Sequence, residues 1–285
     1  MPFRRRSRLL AASSVSLVSL LALGALAPTP GRRAWAQPPG QGSITPRQAA
    51  PAIVPEPLRG VRRIVCLGDS ITQQGESPGG YVWLLRRYLA ALYPQQNIEV
   101  VNAGISGHKS TDMLGRFQRD VLDRKPDLVT ISVGVNDVWH GFYDGYPRGD
   151  GPRGVPLDAY RRNVEEMVRR ARAAGVRVVM LSTTVIHEDL RNRENAKLVG
   201  YNNALREIAG RHGARFVDYQ KPFRDLIATY RDRTGARDDL LTTDGVHMNA
   251  LGNRVMAHTL MNGLGISPEA RVAVRASAED RRAAE

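Results

Sequence analysis

A chain of 285 residues with 42% hydrophobic residues and a formal charge of +13 is long enough for one large domain or two small ones, with ample material for a core. Its one cysteine, Cys66, excludes an intramolecular disulfide and gives no indication of redox chemistry. The charge excludes less than it first promises: Arg4, Arg5, Arg6, Arg8, Arg32 and Arg33 lie in a segment read as removed, leaving +7 of the +13. The remaining arginines are spread over several helices without a basic stripe or interleaved aromatics, so no nucleic-acid partner is expected.

The first arginines precede an uncharged run from Leu9 to Ala27, the order of n-region and h-region in a secretory signal. Small residues flank Trp35 in Ala34-Trp35-Ala36, so residues 1–36 read as a signal peptide cleaved after Ala36, and the protein as secreted or periplasmic. Retention of the run as an N-terminal membrane anchor is the alternative, since 19 residues just reach spanning length. After cleavage no stable membrane insertion is expected. Residues 37–60, rich in Pro, Gly, Gln and Ala, read as a tether.

From Val61 onward short apolar runs alternate with longer amphipathic ones. Ile64 to Leu67, Ile98 to Asn102, Leu128 to Val133, Val176 to Ser182 and Arg215 to Val217 read as strands. Tyr81 to Leu92, Thr111 to Leu122, Leu157 to Ala174, Glu194 to Arg211, Pro222 to Tyr230 and Ala250 to Gly263 read as helices. In the third of these, Tyr160, Val164, Met167, Val168 and Ala171 recur at spacings of three and four. Alternating strands and helices predict an α/β protein: a three-layer α/β/α sandwich on a parallel sheet of about five strands, spanning 61–266, with ligands at the carboxyl ends of the strands. The charged, Ala-rich residues 267–285 are expected to fray as a C-terminal tail.

Under that topology the strand ends meet along one edge. The first ends in Gly68-Asp69-Ser70, the second runs into Asn102-Ala103-Gly104, the third into Gly134-Val135-Asn136-Asp137, and a late loop carries Asp244-Gly245-Val246-His247. Acyl transfer needs these residue types: a serine to attack, an imidazole to take its proton, a carboxylate to hold the imidazole tautomer, and N–H donors aimed at the oxyanion. Ser70, His247 and Asp244 fill the first three roles. The backbone N–H groups of Ser70 and Gly104 and the Asn136 side-chain amide fill the last, with glycine at 104 letting backbone approach substrate. Ser70 followed by Gln73 also fits a capping box, the usual mark of a helix start. Asp69 and Asp137 read as structural, Asp69 accepting backbone N–H groups and Asp137 fixing the Asn136 turn.

These four blocks, in this order, resemble the SGNH hydrolase superfamily, the GDSL-type esterases and lipases. The resemblance covers Ile64 to Leu260. It implies a flavodoxin-like sheet, a nucleophile at Ser70, an oxyanion hole of Ser70, Gly104 and Asn136, acid and base at Asp244 and His247, and no cofactor. The pattern departs from Gly-x-Ser-x-Gly, because residue 72 is Thr.

The remaining histidines, His108, His140, His187, His212 and His258, lack metal-ligand spacing, so no metal is expected; His187, at the end of the fourth strand, can line the cleft. The segment 140–156, dense in Gly, Pro and Tyr, reads equally as a solvated connector or as a substrate-facing loop, in which Trp139, Phe142, Tyr143 and Tyr146 stack on sugar rings or line an acyl pocket. The expected partner is a small-molecule or carbohydrate ester, favouring short acyl (acetyl) esters on carbohydrate. A lysophospholipase or thioesterase with the same triad, and a non-catalytic carbohydrate-binding protein on the same fold, are the alternatives. A nucleotide binder lacks G-x-G-x-x-G and a Walker lysine. The oligomeric state is left open.

Overall fold

The apolar runs of the sequence become strands of one parallel sheet, because a run that is hydrophobic on both faces is satisfied only when helices cover both sides. The computed structural model describes residues 53–274. In chain order the strands are β1 (Arg63–Gly68), β2 (Glu99–Gly104), β3 (Leu128–Ser132), β4 (Arg177–Leu181) and β5 (Arg215–Val217). They hydrogen-bond in the order β2-β1-β3-β4-β5, and every pairing is parallel. Gly68 pairs with Gly104 in register, so β1 and β2 end side by side.

The helices are α1 (Ser70–Gln74), α2 (Tyr81–Leu92), α3 (Ser110–Asp120), α4 (Val135–Trp139), α5 (Leu157–Ala173), α6 (Arg193–Arg211), α7 (Gln220–Thr234) and α8 (Ala250–Gly263). α3, α5 and α6 pack in one group and α2, α7 and α8 in another, which makes the expected three-layer α/β/α sandwich. α5 buries the apolar stripe read from the sequence, Tyr160, Val164, Met167, Val168 and Ala171. Its last turn carries Arg170 and Arg172, positive charges suited to the negative end of the helix dipole. The chain turns one way from β1 to β2 and the other way from β2 to β3, so the crevice between the ends of β1 and β3 is the topological switch point.

α4, five residues long, is absent from the predicted elements, because a single turn is too short for hydrophobic periodicity to register; α1, equally short, is announced only by the capping-box spacing at its start. Ordered packing also starts before Val61: a 3-10 turn at Glu56–Leu58 places Leu58 fully inside the core. At the other end, residues 268–274 are helical rather than frayed. Arg271 is buried there and donates to Asn262 Oδ1 (2.6 Å) and to the Ile266 carbonyl (2.8 Å). The signal segment, its cleavage site and anchor alternative, most of the tether and the end of the tail lie outside the described residues. Among the described residues no helix is long and apolar enough to cross a membrane. Cys66 sits inside β1 as a core residue, and burial pushes its thiol up to about 11, which leaves it unreactive.

Candidate active site

β1 delivers Ser70 to the switch point, and the next residues wind into α1. The helix is capped by Asp69, whose carboxylate accepts the Ile71 N–H at 3.0 Å. Ser70 is therefore the first helical residue and not the cap. Gln73 does not close a capping box either: its side-chain oxygen accepts the Ser106 N–H at 2.8 Å. A capping serine would have its hydroxyl oxygen occupied by an N–H of the first turn. With Asp69 in that role, Ser70 Oγ lies 2.9 Å from His247 Nε2.

His247 reaches Ser70 from a loop with no strand behind it. Thr242 and Met248 form an isolated antiparallel bridge, and Thr243 N–H donates to the His247 carbonyl at 2.8 Å. Asp244 to His247 thus form the tip of a small hairpin. Asp244 Oδ1 accepts the N–H groups of Val246 (3.0 Å) and His247 (2.8 Å), while Oδ2 lies 2.7 Å from His247 Nδ1. Partial burial pushes the Asp244 carboxyl up, but the hydrogen bonds from the His247 ring and from the two backbone N–H groups outweigh it and hold the group below the usual carboxylate range. The three-residue spacing thus supplies both a turn and a ring partner from one carboxylate.

The candidate oxyanion donors are less uniform. The Ser70 N–H lies in the first turn, where a helix provides no acceptor of its own. Asn136, buried in α4, donates one N–H of its side-chain amide to the His108 carbonyl at 3.1 Å, which orients the group and leaves its second N–H for another acceptor. Gly104 N–H is already given to Asn102 Oδ1 at 2.8 Å. The glycine is also required by backbone packing. A Cβ at 104 would stand 2.2 Å from Gln73 N and 2.8 Å from the Asp69 carbonyl, so only glycine lets the end of β2 lie against α1.

Two buried carboxylates and one buried arginine support this edge. Burial pushes the Asp69 carboxyl up to about 6, against the pull of the Ile71 N–H and of the His247 and Arg116 charges. Burial likewise pushes Asp137 up to about 7, against its hydrogen bonds from Ser110. Asp137 accepts both the N–H and the hydroxyl of Ser110, so it ties α4 to the start of α3 rather than fixing the Asn136 turn. Arg116, buried in α3, donates to the carbonyls of Gly68 and Ala103 at 2.8 Å each and to His108 Nδ1 at 3.0 Å. It joins the ends of β1 and β2 to the residue whose carbonyl holds Asn136. The sequence carried one signal for it: Arg116 falls on the apolar stripe of Met113 and Phe117.

The four aromatics divide. Trp139, one helical turn after Asn136, stands edge-on to Tyr143 (5.5 Å between ring centroids) and to His187 (6.0 Å). Arg153 lies over the Tyr143 ring at 4.7 Å. His187 adopts a left-handed backbone (φ 53°), donates its N–H to the Gly245 carbonyl at 2.7 Å, and crowds Gly245 so closely that a Cβ there would stand 2.4 Å from its Nδ1. His187 thus touches the hairpin that bears His247, with Trp139 packed on His187 and Tyr143 on Trp139. Phe142 instead packs on Gly149 inside its own loop, and Tyr146 lies exposed over Gly151. The 140–156 segment is knit to itself, with Gly151 N–H donating to the Gly141 carbonyl at 2.9 Å. A pocket of about 300 Å³ lies between Gln74, at the end of α1, and Met248 and Asn249, just past His247. Among the described residues no group of three His, Cys, Asp or Glu side chains gathers to hold a metal.

Residues 66–255 match the GDSL-like Lipase/Acylhydrolase family. The chain is 28% identical over 214 residues to the acetylxylan esterase of Geobacillus stearothermophilus, covering 71% of this chain and 94% of that protein. The crystal structure of that esterase superposes with a TM-score of 0.63 at 27% identity, over 72% of this chain and 95% of its own. Structures of three catalytic mutants of it replace a serine, an aspartate, and a histidine three residues after that aspartate. An isoamyl acetate-hydrolyzing esterase 1 homolog of Mus musculus is 26% identical over 217 residues, covering 68% of this chain and 78% of that protein. An alpha/beta hydrolase enzyme from the metagenome of Lake Arreo superposes with a TM-score of 0.62 at 29% identity, over 72% of this chain and 95% of its own. The chain belongs to the GDSL-like lipase/acylhydrolase family of ester hydrolases.

Proposed function

We propose that the protein is an exported serine esterase that removes short acyl groups, acetyl foremost, from carbohydrate through an acyl-enzyme on Ser70. The observation that carries the reading is the unbroken run of short contacts from Ser70 Oγ to His247 Nε2 (2.9 Å) and from His247 Nδ1 to Asp244 Oδ2 (2.7 Å). The same three residue types, with the same spacing between acid and base, are the ones altered in the catalytic mutants of the Geobacillus acetylxylan esterase.

In the first half-reaction His247 Nε2 takes the Ser70 hydroxyl proton as Oγ bonds to the acyl carbon. The charge that develops on the acyl oxygen falls to the Ser70 N–H and the second N–H of Asn136. Gly104 N–H joins them on exchanging Asn102 Oδ1 for the oxyanion. His247 then returns the proton to the departing alcohol oxygen as the C–O bond breaks. Water repeats the sequence and releases the carboxylic acid. Asp244 holds the ring proton on Nδ1 throughout, which keeps Nε2 the accepting nitrogen. No step calls for a cofactor.

Acetyl is favoured because two relatives with different alcohols, an acetylxylan esterase and an isoamyl acetate-hydrolyzing esterase homolog, share that acyl group in their names. Carbohydrate is favoured by the Trp139 ring, which is linked to the His247 hairpin through His187 and is an apolar surface of the kind on which sugar rings stack. Export follows from the basic and apolar order of residues 1–36. Labelling with a fluorophosphonate probe tests the core of the reading: wild type should be modified and Ser70→Ala should not. An unmodified, folded wild type sinks it. Hydrolysis of p-nitrophenyl esters from acetate to palmitate tests the acyl preference, and a maximum at long chains would replace the acetylesterase with a lysophospholipase or thioesterase.

A further inference from the structure

Ser70 and His247 are held in different ways. Ser70 stands at the end of a central strand, whereas the hairpin that bears His247 follows α7 and has no strand of its own in the sheet. Something must transfer the rigidity of the sheet to that hairpin, because 2.9 Å contacts across 177 residues of sequence do not survive a loop that drifts. The residues that follow β4 do this. Ser182 to Ile186 are buried, and they carry the chain to Glu188, which is 1% exposed.

Glu188 spends that carboxylate on the base of the hairpin. Oε2 accepts the Leu240 N–H at 2.8 Å. Oε1 accepts the Leu241 N–H at 2.7 Å and the N–H and hydroxyl of Thr242, each at 2.9 Å. Thr242 is the residue that closes the hairpin by pairing with Met248. One residue earlier, the His187 N–H holds the Gly245 carbonyl at the hairpin tip. A buried carboxyl group is tolerated only where hydrogen bonds replace its hydration, and four donors from one short segment both do so and fix where the segment lies.

We infer that Glu188 is a positioning residue for the reaction: its buried carboxylate latches the Asp244 to His247 hairpin to the end of β4 and thereby sets the distance between the His247 imidazole and the Ser70 hydroxyl. The inference rests on the proposed serine esterase reading. Glu188 and its partners form no hydrogen bond to Ser70, so the residue acts through the hairpin that carries His247.

Glu188→Gln keeps the size of the side chain but turns one accepting oxygen into an N–H donor that faces backbone N–H groups. Turnover of p-nitrophenyl acetate, normalised to folded enzyme by circular dichroism, should fall about 10- to 100-fold in kcat with KM within about twofold, the signature of a displaced base rather than a damaged binding site. The low-field proton resonance of the His247 to Asp244 hydrogen bond should shift or broaden. Glu188→Asp, which restores the carboxylate one methylene short, should recover part of the loss. If Glu188→Gln does not fold, Thr242→Val decides: it removes one donor of four and should lower kcat about threefold at unchanged KM. A folded Glu188→Gln with wild-type kcat and an unmoved resonance overturns the inference, as does a folded Thr242→Val with wild-type kcat where only that variant folds. Fluorophosphonate labelling of the wild type separates the two readings, since an unlabelled wild type condemns the esterase proposal, whereas a labelled wild type with unaffected variants condemns only the role of Glu188.

Discussion

His247 Nε2 lies 2.9 Å from Ser70 Oγ across 177 positions of sequence. The pair joins a strand end to a hairpin tip, so its geometry depends on the whole sheet. His247→Ala and Ser70→Ala should each lower kcat for p-nitrophenyl acetate by about 10⁴-fold with the melting temperature preserved. Asp244 has half its side chain in water, so solvent partly replaces it, and Asp244→Asn should cost about 10²-fold. Steady-state kinetics on the three purified variants checks the order; an Asp244 variant as inactive as the His247 variant would contradict it.

Asn136 keeps one amide N–H on the His108 carbonyl. Asn136→Ala should reduce kcat by about 10²- to 10³-fold with little change in KM, the loss associated with one oxyanion donor. Asn136→Gln moves the amide by a methylene and should not restore it. The same assay reads both variants.

Gly104→Ala drives a Cβ to 2.2 Å from the backbone nitrogen of Gln73, and backbone cannot swing aside as a side chain would. The variant should lose about 1 to 3 kcal/mol of stability together with activity, because the strain falls on α1 beside Ser70. Gly115→Ala is the informative contrast. Nothing lies within 4 Å of its Cβ on α3, so it should gain about 0.5 to 1 kcal/mol from helix propensity. Urea unfolding of both variants measures the difference.

Asp69 and Asp137 hold their protons more tightly in the folded protein than in the unfolded chain, at about 6 and about 7. Between the ordinary carboxylate value near 4 and those values the folded state binds more protons, so stability falls as pH rises through that window. The stabilisation is complete below about pH 4 and lost by about pH 7, at about 1 kcal/mol per pH unit for each group while it titrates. Asp137→Asn should flatten the upper part of this slope. Urea midpoints measured from pH 4 to pH 8 check it, and an unchanged slope would mean that Asp137 is not the group responsible.

Trp139 stands edge-on to His187, whose N–H holds the Gly245 carbonyl of the His247 hairpin. Trp139→Ala should raise KM for acetylated xylo-oligosaccharides about tenfold, the loss of one stacking contact with its buried area, and leave kcat for p-nitrophenyl acetate within about twofold. Equal losses on both substrates would assign the ring to packing instead.

Some of this architecture is local chemistry and was legible as such. α2 and α8 run over the same residues as their predicted helices, Tyr81–Leu92 and Ala250–Gly263, because a 12- to 14-residue amphipathic run declares its period. The strands are likewise found within a residue or two of their apolar runs. The start of α1 at Ser70 was legible in the Ser70 to Gln73 spacing, whereas α4 was not, since one helical turn leaves no period. The Ser70 and Gln73 spacing pointed to a capping box, whereas the structure makes Asp69 a simple N-cap that accepts the Ile71 N–H, a competition between adjacent residues decided by backbone angles that no spacing encodes.

The sequence by itself determined the fold class, the parallel sheet and the residue types gathered at its edge, because hydrophobic period and strand-end placement are properties of neighbours along the chain. It also determined the pairing of Asp244 with His247, which a three-residue turn closes unaided. Only the tertiary structure decided which N–H groups are already committed, Gly104 to Asn102 and one of the Asn136 pair to His108. It alone set Arg116 across the ends of β1 and β2 and Glu188 beneath the hairpin. Those are contacts between charged side chains and backbone groups far apart in sequence, and a buried charge shows its partners only when the chain has folded around it.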